Sequence, residues 1–341
     1  MRPIGATAST TLLAALVAAG CAIEDDPVEI PTHGPPTRVG LAYDIGGRGD
    51  RSFNDSAAFG LDRAEAELGV ETTEMPAGNG ETDGHRAERL RALAKEGHNP
   101  VIAVGFVYSG AVSRVAAEFP DVKFAIVDDP GARGPNISNL LFAENEGSFL
   151  VGAAGALKSR TNKLGFVGGV NVPQLHKFEA GYRAGIQHVK PAEVRSRYLS
   201  DPPDLSGFTD PAKGRAAAQG MYDSGVDVVF QATGGSGSGV FEAARDTGDW
   251  AIGVDSDQAK TADPEVRGSI LTSMLKKVDV AVFDFIHGVV KGDFRSGPVV
   301  YDLKAGGVDY ATTGGHLTDI VPQLNQLKRQ IIDGRIKVPT H

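Results

Sequence analysis

Carboxylates at the ends of apolar runs and glycine-rich loops carry most of the chemistry available to this chain. The first constellation is Asp44-Ile45-Gly46-Gly47-Arg48-Gly49-Asp50-Arg51-Ser52-Phe53-Asn54-Asp55-Ser56. Its three glycines permit a tight turn, and Asp50 or Ser52 can cap the helix that follows. Phe53 then opens that helix, although taken alone a phenylalanine is more often a core residue. The second is the doublet Asp128-Asp129 after an apolar run, and the third is Asp255 and Asp257 within Ile252-Gly253-Val254-Asp255-Ser256-Asp257-Gln258. One acidic strand end is ordinary, serving as a turn or cap residue. Three that converge on one cleft mark a binding site for a polar ligand.

Gly234-Gly235-Ser236-Gly237-Ser238-Gly239 with Asp255 about twenty residues later resembles a dinucleotide fingerprint. The glycines miss the G-x-G-x-x-G register, so a loop that lets main chain approach a ligand is the better reading. Covalent and metal chemistry find no support. His85 and His98 flank no cysteine, and no G-x-S-x-G elbow occurs. Asp128 and Asp129 are neighbours whose side chains point apart, which does not suit paired acid/base work. A hydrolase would need a general acid or a metal at the scissile bond, and no such set is recognisable. No cofactor, metal or catalytic residue is therefore expected. Arg48-Gly49-Asp50 matches an adhesion tripeptide, but three residues match by chance too easily to carry weight.

These residues need a scaffold, and the apolar patterning supplies one. From Arg38 onward short β-branched runs alternate with helical patterns, the mark of βαβ units and parallel sheets. Strands are expected near Val39–Tyr43, Val70–Glu74, Val101–Val104, Phe124–Val127 and Ser138–Phe142, with helices at about Phe53–Leu68, His85–Lys95 and Tyr108–Glu118. The rhythm restarts with strands Lys163–Val167, Val194–Tyr198 and Val226–Phe230 and helices Leu175–Val189, Pro211–Asp223 and Ser238–Thr247. Later pieces are less regular: strand-like Ala251–Val254, Ser269–Leu275 and Val299–Leu303, and helices Lys277–Val290 and Leu317–Asp333. They are expected to return to the two sheets already begun, giving two lobes with a cleft between them. Ligands of open parallel sheets bind outside the strand carboxyl ends, where the acidic and glycine-rich residues fall.

The 341 residues carry 34 Lys and Arg against 43 Asp and Glu, a formal charge of −9, which argues against nucleic acid as a partner. Cys21 is the only cysteine and closes the apolar stretch Leu12-Leu13-Ala14-Ala15-Leu16-Val17-Ala18-Ala19-Gly20. A short apolar core ending in small residues reads as an export signal over 1–20. The small-small-Cys ending resembles a bacterial lipobox, although Ala18 stands where leucine is more usual. Cys21 is accordingly the expected lipidation site, and the proline-rich, acidic stretch to residue 37 is a flexible linker. The expected location is the extracytoplasmic side of the cell membrane, held by a lipid anchor.

Asp44 to Asn54, Gly165-Phe-Val-Gly-Gly169 followed by Phe178-Glu-Ala-Gly-Tyr182, Asp210-Pro-Ala-Lys-Gly214, Gly234-Gly-Ser-Gly237, Gly253 to Gln258 and Leu271-Thr-Ser-Met-Leu-Lys276 together resemble the basic membrane protein family. These are substrate-binding lipoproteins of ABC transporters whose best understood members bind purine nucleosides. The resemblance runs in order from about Val39 to about Val308. It implies an α/β chain of the type I periplasmic-binding-protein fold, two Rossmann-like lobes joined by a multi-crossing hinge. The lobe allocation expected is 38–144 plus about 252–287 for the N-terminal lobe, and 145–251 plus about 288–341 for the C-terminal lobe.

The same resemblance implies roles. Phe53 and Phe178 would sandwich a base, while Asn54 and Asp128 or Asp129 would meet its edge, with Asp50 beside them. Asp255 would accept from the ribose diol, Lys276 would be its cationic companion, and Gly234 and Gly235 would admit the main chain. Expected partners are guanosine, adenosine or inosine and the subunits of an ABC permease, with the protein a monomer. Asp55 replaces the family's frequent glutamine and Asn171 a frequent acid, so base preference stays open. Another small polar ligand, such as a sugar or signalling molecule, and a nucleoside sensor on the same fold are the alternative readings.

Overall fold

The computed structural model describes residues 35–78 and 80–341. The signal, Cys21 and the linker as far as residue 34 lie outside the described residues.

The chain enters the first sheet at β1 (Arg38–Ala42) and continues through α1 (Phe53–Leu68), β2 (Glu71–Met75), α2 (Asp83–Lys95), β3 (Val101–Val104), α3 (Ser109–Glu118), β4 (Phe124–Val127) and β5 (Ile137–Phe142). It then builds a second set: α4 (Glu144–Lys158), β6 (Lys163–Val170), α5 (Pro173–Val189), β7 (Glu193–Ser200), α6 (Pro211–Asp223), β8 (Val228–Ala232), α7 (Gly237–Thr247), β9 (Trp250–Asp255), the single turn α8 (Gln258–Thr261) and β10 (Ile270–Lys276). Helix α9 (Val278–Val290), β11 (Gly297–Tyr301), β12 (Val308–Tyr310) and α10 (Val321–Ile332) complete it. The strands form two six-stranded sheets, ordered β11-β5-β4-β3-β1-β2 and β12-β10-β9-β8-β6-β7. Pairing is parallel except where β12 runs against β10. The central strands β3, β4 and β8 are buried along their whole length, which is why they read as unbroken apolar runs.

The lobe allocation differs from expectation. Strands β9 and β10 stay in the second sheet, because Trp250 registers with Val228 and Leu275 with Asp255, each strand adding beside the last. Within 252–287 only α9 changes sides. It packs on α1 so closely that a Cβ on Gly60 would lie 2.4 Å from the Asp279 carbonyl oxygen. Strand β11, expected in the second lobe, pairs with β5 in the first. The chain thus crosses between lobes three times, after β5, after β10 and after β11.

Helix α4 has no counterpart in the sequence reading. Most of its residues are buried, so it lacks the polar stripe that would give it a helical period. It packs against α5 through glycines: a Cβ on Gly181 would meet the Asn145 carbonyl oxygen at 2.1 Å, and one on Gly185 that of Phe149 at 2.0 Å.

Candidate functional site

The carboxyl ends of β1, β3 and β4 in the first sheet and of β8, β9 and β10 in the second face one cavity. It holds about 650 Å³ of atom-free space, mouth included, and all nine residues expected to contact ligand line it: Asp50, Phe53, Asn54, Asp128, Phe178, Gly234, Gly235, Asp255 and Lys276.

Local structure sets each side chain. Asp128 directly follows β4 and Asp255 ends β9, and both adopt left-handed backbone, φ 66° and 62°. For a residue with a Cβ this is a costly conformation, maintained where the surroundings enforce it, and it recurs at ligand sites. Among the non-glycine residues that line the cavity, each lobe supplies one in this conformation. Of the doublet left open by sequence, Asp128 lines the cavity, whereas Asp129 turns away and its Oδ2 accepts from Ala132 N at 2.6 Å.

Asp50 is occupied as a cap. Its Oδ1 accepts from Ser52 N (2.9 Å) and Asp55 N (3.1 Å), and its Oδ2 from Asn54 N (2.9 Å) and Asn54 Nδ2 (3.0 Å). Asn54 is fixed in turn, its Oδ1 accepting from Asp44 N at 3.1 Å. The start of α1 is therefore a rigid platform that presents Phe53. Phe178 comes from α5 in the other lobe.

The expected pairing of Asp255 with Lys276 is corrected by the geometry. Lys276 Nζ donates to Asp128 Oδ2 and lies 3.4 Å from Glu144 Oε1. Asp255 Oδ2 instead accepts from Ser52 Oγ at 2.6 Å. Sheet alternation explains this: Leu275 is the register partner of Asp255, so Lys276, one residue on, projects to the opposite face, where α4 and Glu144 pack. Lys276 Nζ also sits 5.1 Å from the ring centres of Phe53 and Phe142 and 5.5 Å from that of Phe178, within cation–π range of all three.

The cavity is strongly acidic for its burial. Burial pushes Asp44 up to about 7, against the opposing hydrogen bond from Ile45 N and the Arg86 charge. It pushes Asp50 up to about 6 despite the three backbone N–H groups it accepts. Asp128 also rises to about 6, burial outweighing the adjacent Lys276 ammonium. Asp255 is raised by burial as well. For Lys276 burial favours the neutral amine, but Asp128, Glu144 and Asp255 together override it and hold the ammonium charged. Asp128 Oδ1 is buried and has no hydrogen-bond partner among the described residues.

Sequence reasoning placed Asp44 at a strand end without giving it a ligand contact, and it missed Phe106, Gln174 and Phe208 on the cavity wall and Glu144 behind Lys276. Asp44 carried the same signal as Asp128, an acid just beyond a strand, and Gly105 makes room for it: a Cβ there would lie 2.2 Å from Asp44 Oδ2. The two phenylalanines lie in three-residue 3-10 turns with no periodic pattern to expose them. Among the described residues no cluster of His, Cys, Asp and Glu is disposed to hold a metal ion. Nor is any helix among them long and apolar enough to cross a membrane.

Two α/β lobes enclosing a polar and aromatic cavity at their strand carboxyl ends define a solute-binding protein of the periplasmic-binding-protein fold. A solved solute-binding protein of an ABC transporter system from Aeropyrum pernix superimposes with a TM-score of 0.77 at 30% identity, over 90% of this chain and 94% of that one. Residues 37–341 match the family model described as ABC transporter substrate-binding protein PnrA-like, and the chain belongs to that family. It is 32% identical, over 98% of both chains, to a Lactococcus lactis protein named ABC transporter nucleoside-binding protein BmpA. It is 33% identical to an uncharacterized lipoprotein of Pyrococcus furiosus, over 95% of this chain and 84% of that protein.

Proposed function

We propose that this substrate-binding protein captures purine nucleosides outside the cell membrane, to which Cys21 anchors it through lipid, and delivers them to an ABC permease. The observation that carries the reading is one cavity lined by a phenylalanine from each lobe, Phe53 and Phe178, beside a buried carboxylate oxygen without a partner on Asp128. Two flat apolar faces suit a heterocycle, and stacking tolerates any purine. The free Oδ1 of Asp128 accepts an N–H from the base edge, and the Asp255 oxygen not held by Ser52 accepts from the ribose diol. Asp44, Asp50, Asp128 and Asp255 line the cavity against one lining lysine, Lys276, a field that favours a neutral nucleoside over its phosphorylated form. The Lactococcus lactis relative's name accords with this reading, and the Pyrococcus furiosus relative's with the anchor.

Calorimetric titration with guanosine, inosine, adenosine and free ribose tests it. Saturable binding of at least one nucleoside and none of ribose is expected; ribose bound as tightly as any nucleoside would leave the aromatic faces idle and favour a sugar-binding role. Hypoxanthine released during long incubation with inosine would contradict a purely binding protein.

A further inference from the structure

Ser52 occupies the N-cap position of α1, where a serine hydroxyl ordinarily accepts from the N–H groups of the first helical turn. It makes no such bond. Asp50, two residues earlier, has already taken the N–H groups of Asn54 and Asp55, and the fully buried Ser52 hydroxyl crosses the cleft to Asp255 Oδ2 at 2.6 Å. Two further bonds run between the same short segments of opposite lobes. Ser256 Oγ donates to the Ser52 carbonyl oxygen at 3.1 Å, and Gln258 Nε2 to that of Arg51 at 3.1 Å. Arg51 is held at φ 54°, a conformation disfavoured for a residue with a Cβ.

The second lobe is prepared to receive these contacts. Gln258 Oε1 accepts from Val254 N and from Gln231 Nε2, both at 2.8 Å. Gln231 Oε1 accepts from Thr233 N (3.0 Å) and Thr233 Oγ1 (2.7 Å), just ahead of the Gly234-Gly235 loop on the cavity wall. Gln231, Thr233 and Gln258 are buried and mutually bonded, so the bond to Arg51 is made by a group with little freedom to move.

We infer that Ser52 is a cross-cleft latch: its hydroxyl, released from helix capping by Asp50, ties the closed lobes together and orients Asp255 so that one carboxylate oxygen is left for the ligand. The latch itself follows from the bonds between lobes; its effect on the ribose rests on the nucleoside reading above. A bond that forms only when the lobes meet slows ligand escape and leaves encounter alone. A bond that aims Asp255 matters most to a ligand carrying the diol.

Ser52→Ala and Ser52→Thr, compared with the unaltered protein, test this by stopped-flow kinetics and calorimetry with guanosine and 2′,3′-dideoxyguanosine. Ser52→Ala is expected to release guanosine roughly tenfold to a hundredfold faster, the range for losing a hydrogen bond to a charged group, with association unchanged. The affinity ratio between guanosine and the dideoxy analogue should narrow, and Ser52→Thr, which keeps the hydroxyl, should restore both. An unchanged release rate overturns the latch; an equal loss for both ligands overturns the orienting role. Should the unaltered protein ignore guanosine, the nucleoside reading falls, and small-angle scattering of the ligand-free proteins decides the latch alone. A larger radius for Ser52→Ala then supports it, and superimposable curves overturn it.

Discussion

Replacing Lys276 with methionine removes the buried cation that pairs with Asp128 and Glu144, with Asp255 close enough to act on it electrostatically, and leaves Glu144 only the partly exposed Lys177. Methionine fills the space among Phe53, Phe142 and Phe178, so packing is largely kept and the charge is what is lost. Breaking a buried ion pair from one side costs about 3–5 kcal/mol, because the remaining carboxylate is left uncompensated. Unfolding entropy of about 2.1 cal/mol/K per residue, taken over the folded body, converts this to a fall in Tm of roughly 5–8 °C. The loss must depend on pH. Burial already holds Asp128 at about 6, and Lys276 is what pulls it down, so the variant's Asp128 titrates higher still. A carboxyl whose folded pKa is raised favours the folded state below its ordinary value, and that advantage is lost as pH rises through the folded pKa. In the unaltered protein the loss is complete soon above 6; in the variant it continues upward, so the deficit should be greater at pH 8 than at pH 5. Calorimetric melting of the ligand-free proteins at the two pH values measures it. Adding Asp128→Asn to the variant should recover part of the deficit at pH 8. A fall under about 1 °C, far below the Tm change that the charge loss implies, or a fall of the same size at both pH values, would refute the reasoning.

Phe53→Ala and Phe178→Ala should each weaken guanosine binding by about 1–3 kcal/mol, the usual worth of one base-stacking face, as read by calorimetry; no loss from either would remove the base sandwich. Asp44, raised to about 7, disfavours the folded state as pH climbs from its ordinary carboxyl value through 7. Asp44→Asn, which cannot ionise, should therefore gain stability relative to the unaltered protein at pH 8 over pH 5, visible as a Tm difference that grows with pH. Cys21→Ser should shift the protein from the membrane fraction to the soluble fraction of its host cell, and unchanged fractionation would remove the lipid-anchor argument.

Much of the first half was readable because its elements are simple. Helix α1 begins at Phe53 and stops at Gly69, whose left-handed φ of 66° ends it as a C-terminal glycine commonly does. Strands β3 and β4 are short apolar runs bounded by turns. Helix α4 escaped because burial on nearly every side erased its period, and the lobe exchange was expected near residue 252 rather than after β10 because strand membership depends on which edge a strand joins. The cavity acids were visible one by one as residues at strand ends. Their partners were not. Nothing in the spacing of Ser52, Glu144 and Lys276 says that the hydroxyl reaches Asp255 while the lysine turns to Asp128, since those pairings arise only when two lobes and a hinge are assembled.

A crystal structure of the protein grown with guanosine tests the central claim most directly. The account predicts the base between Phe53 and Phe178, an N–H of its edge on Asp128 Oδ1, and the ribose hydroxyls on the Asp255 oxygen that Ser52 leaves free. Guanosine bound away from this cleft, or seated in it with neither ring against the base, would contradict it.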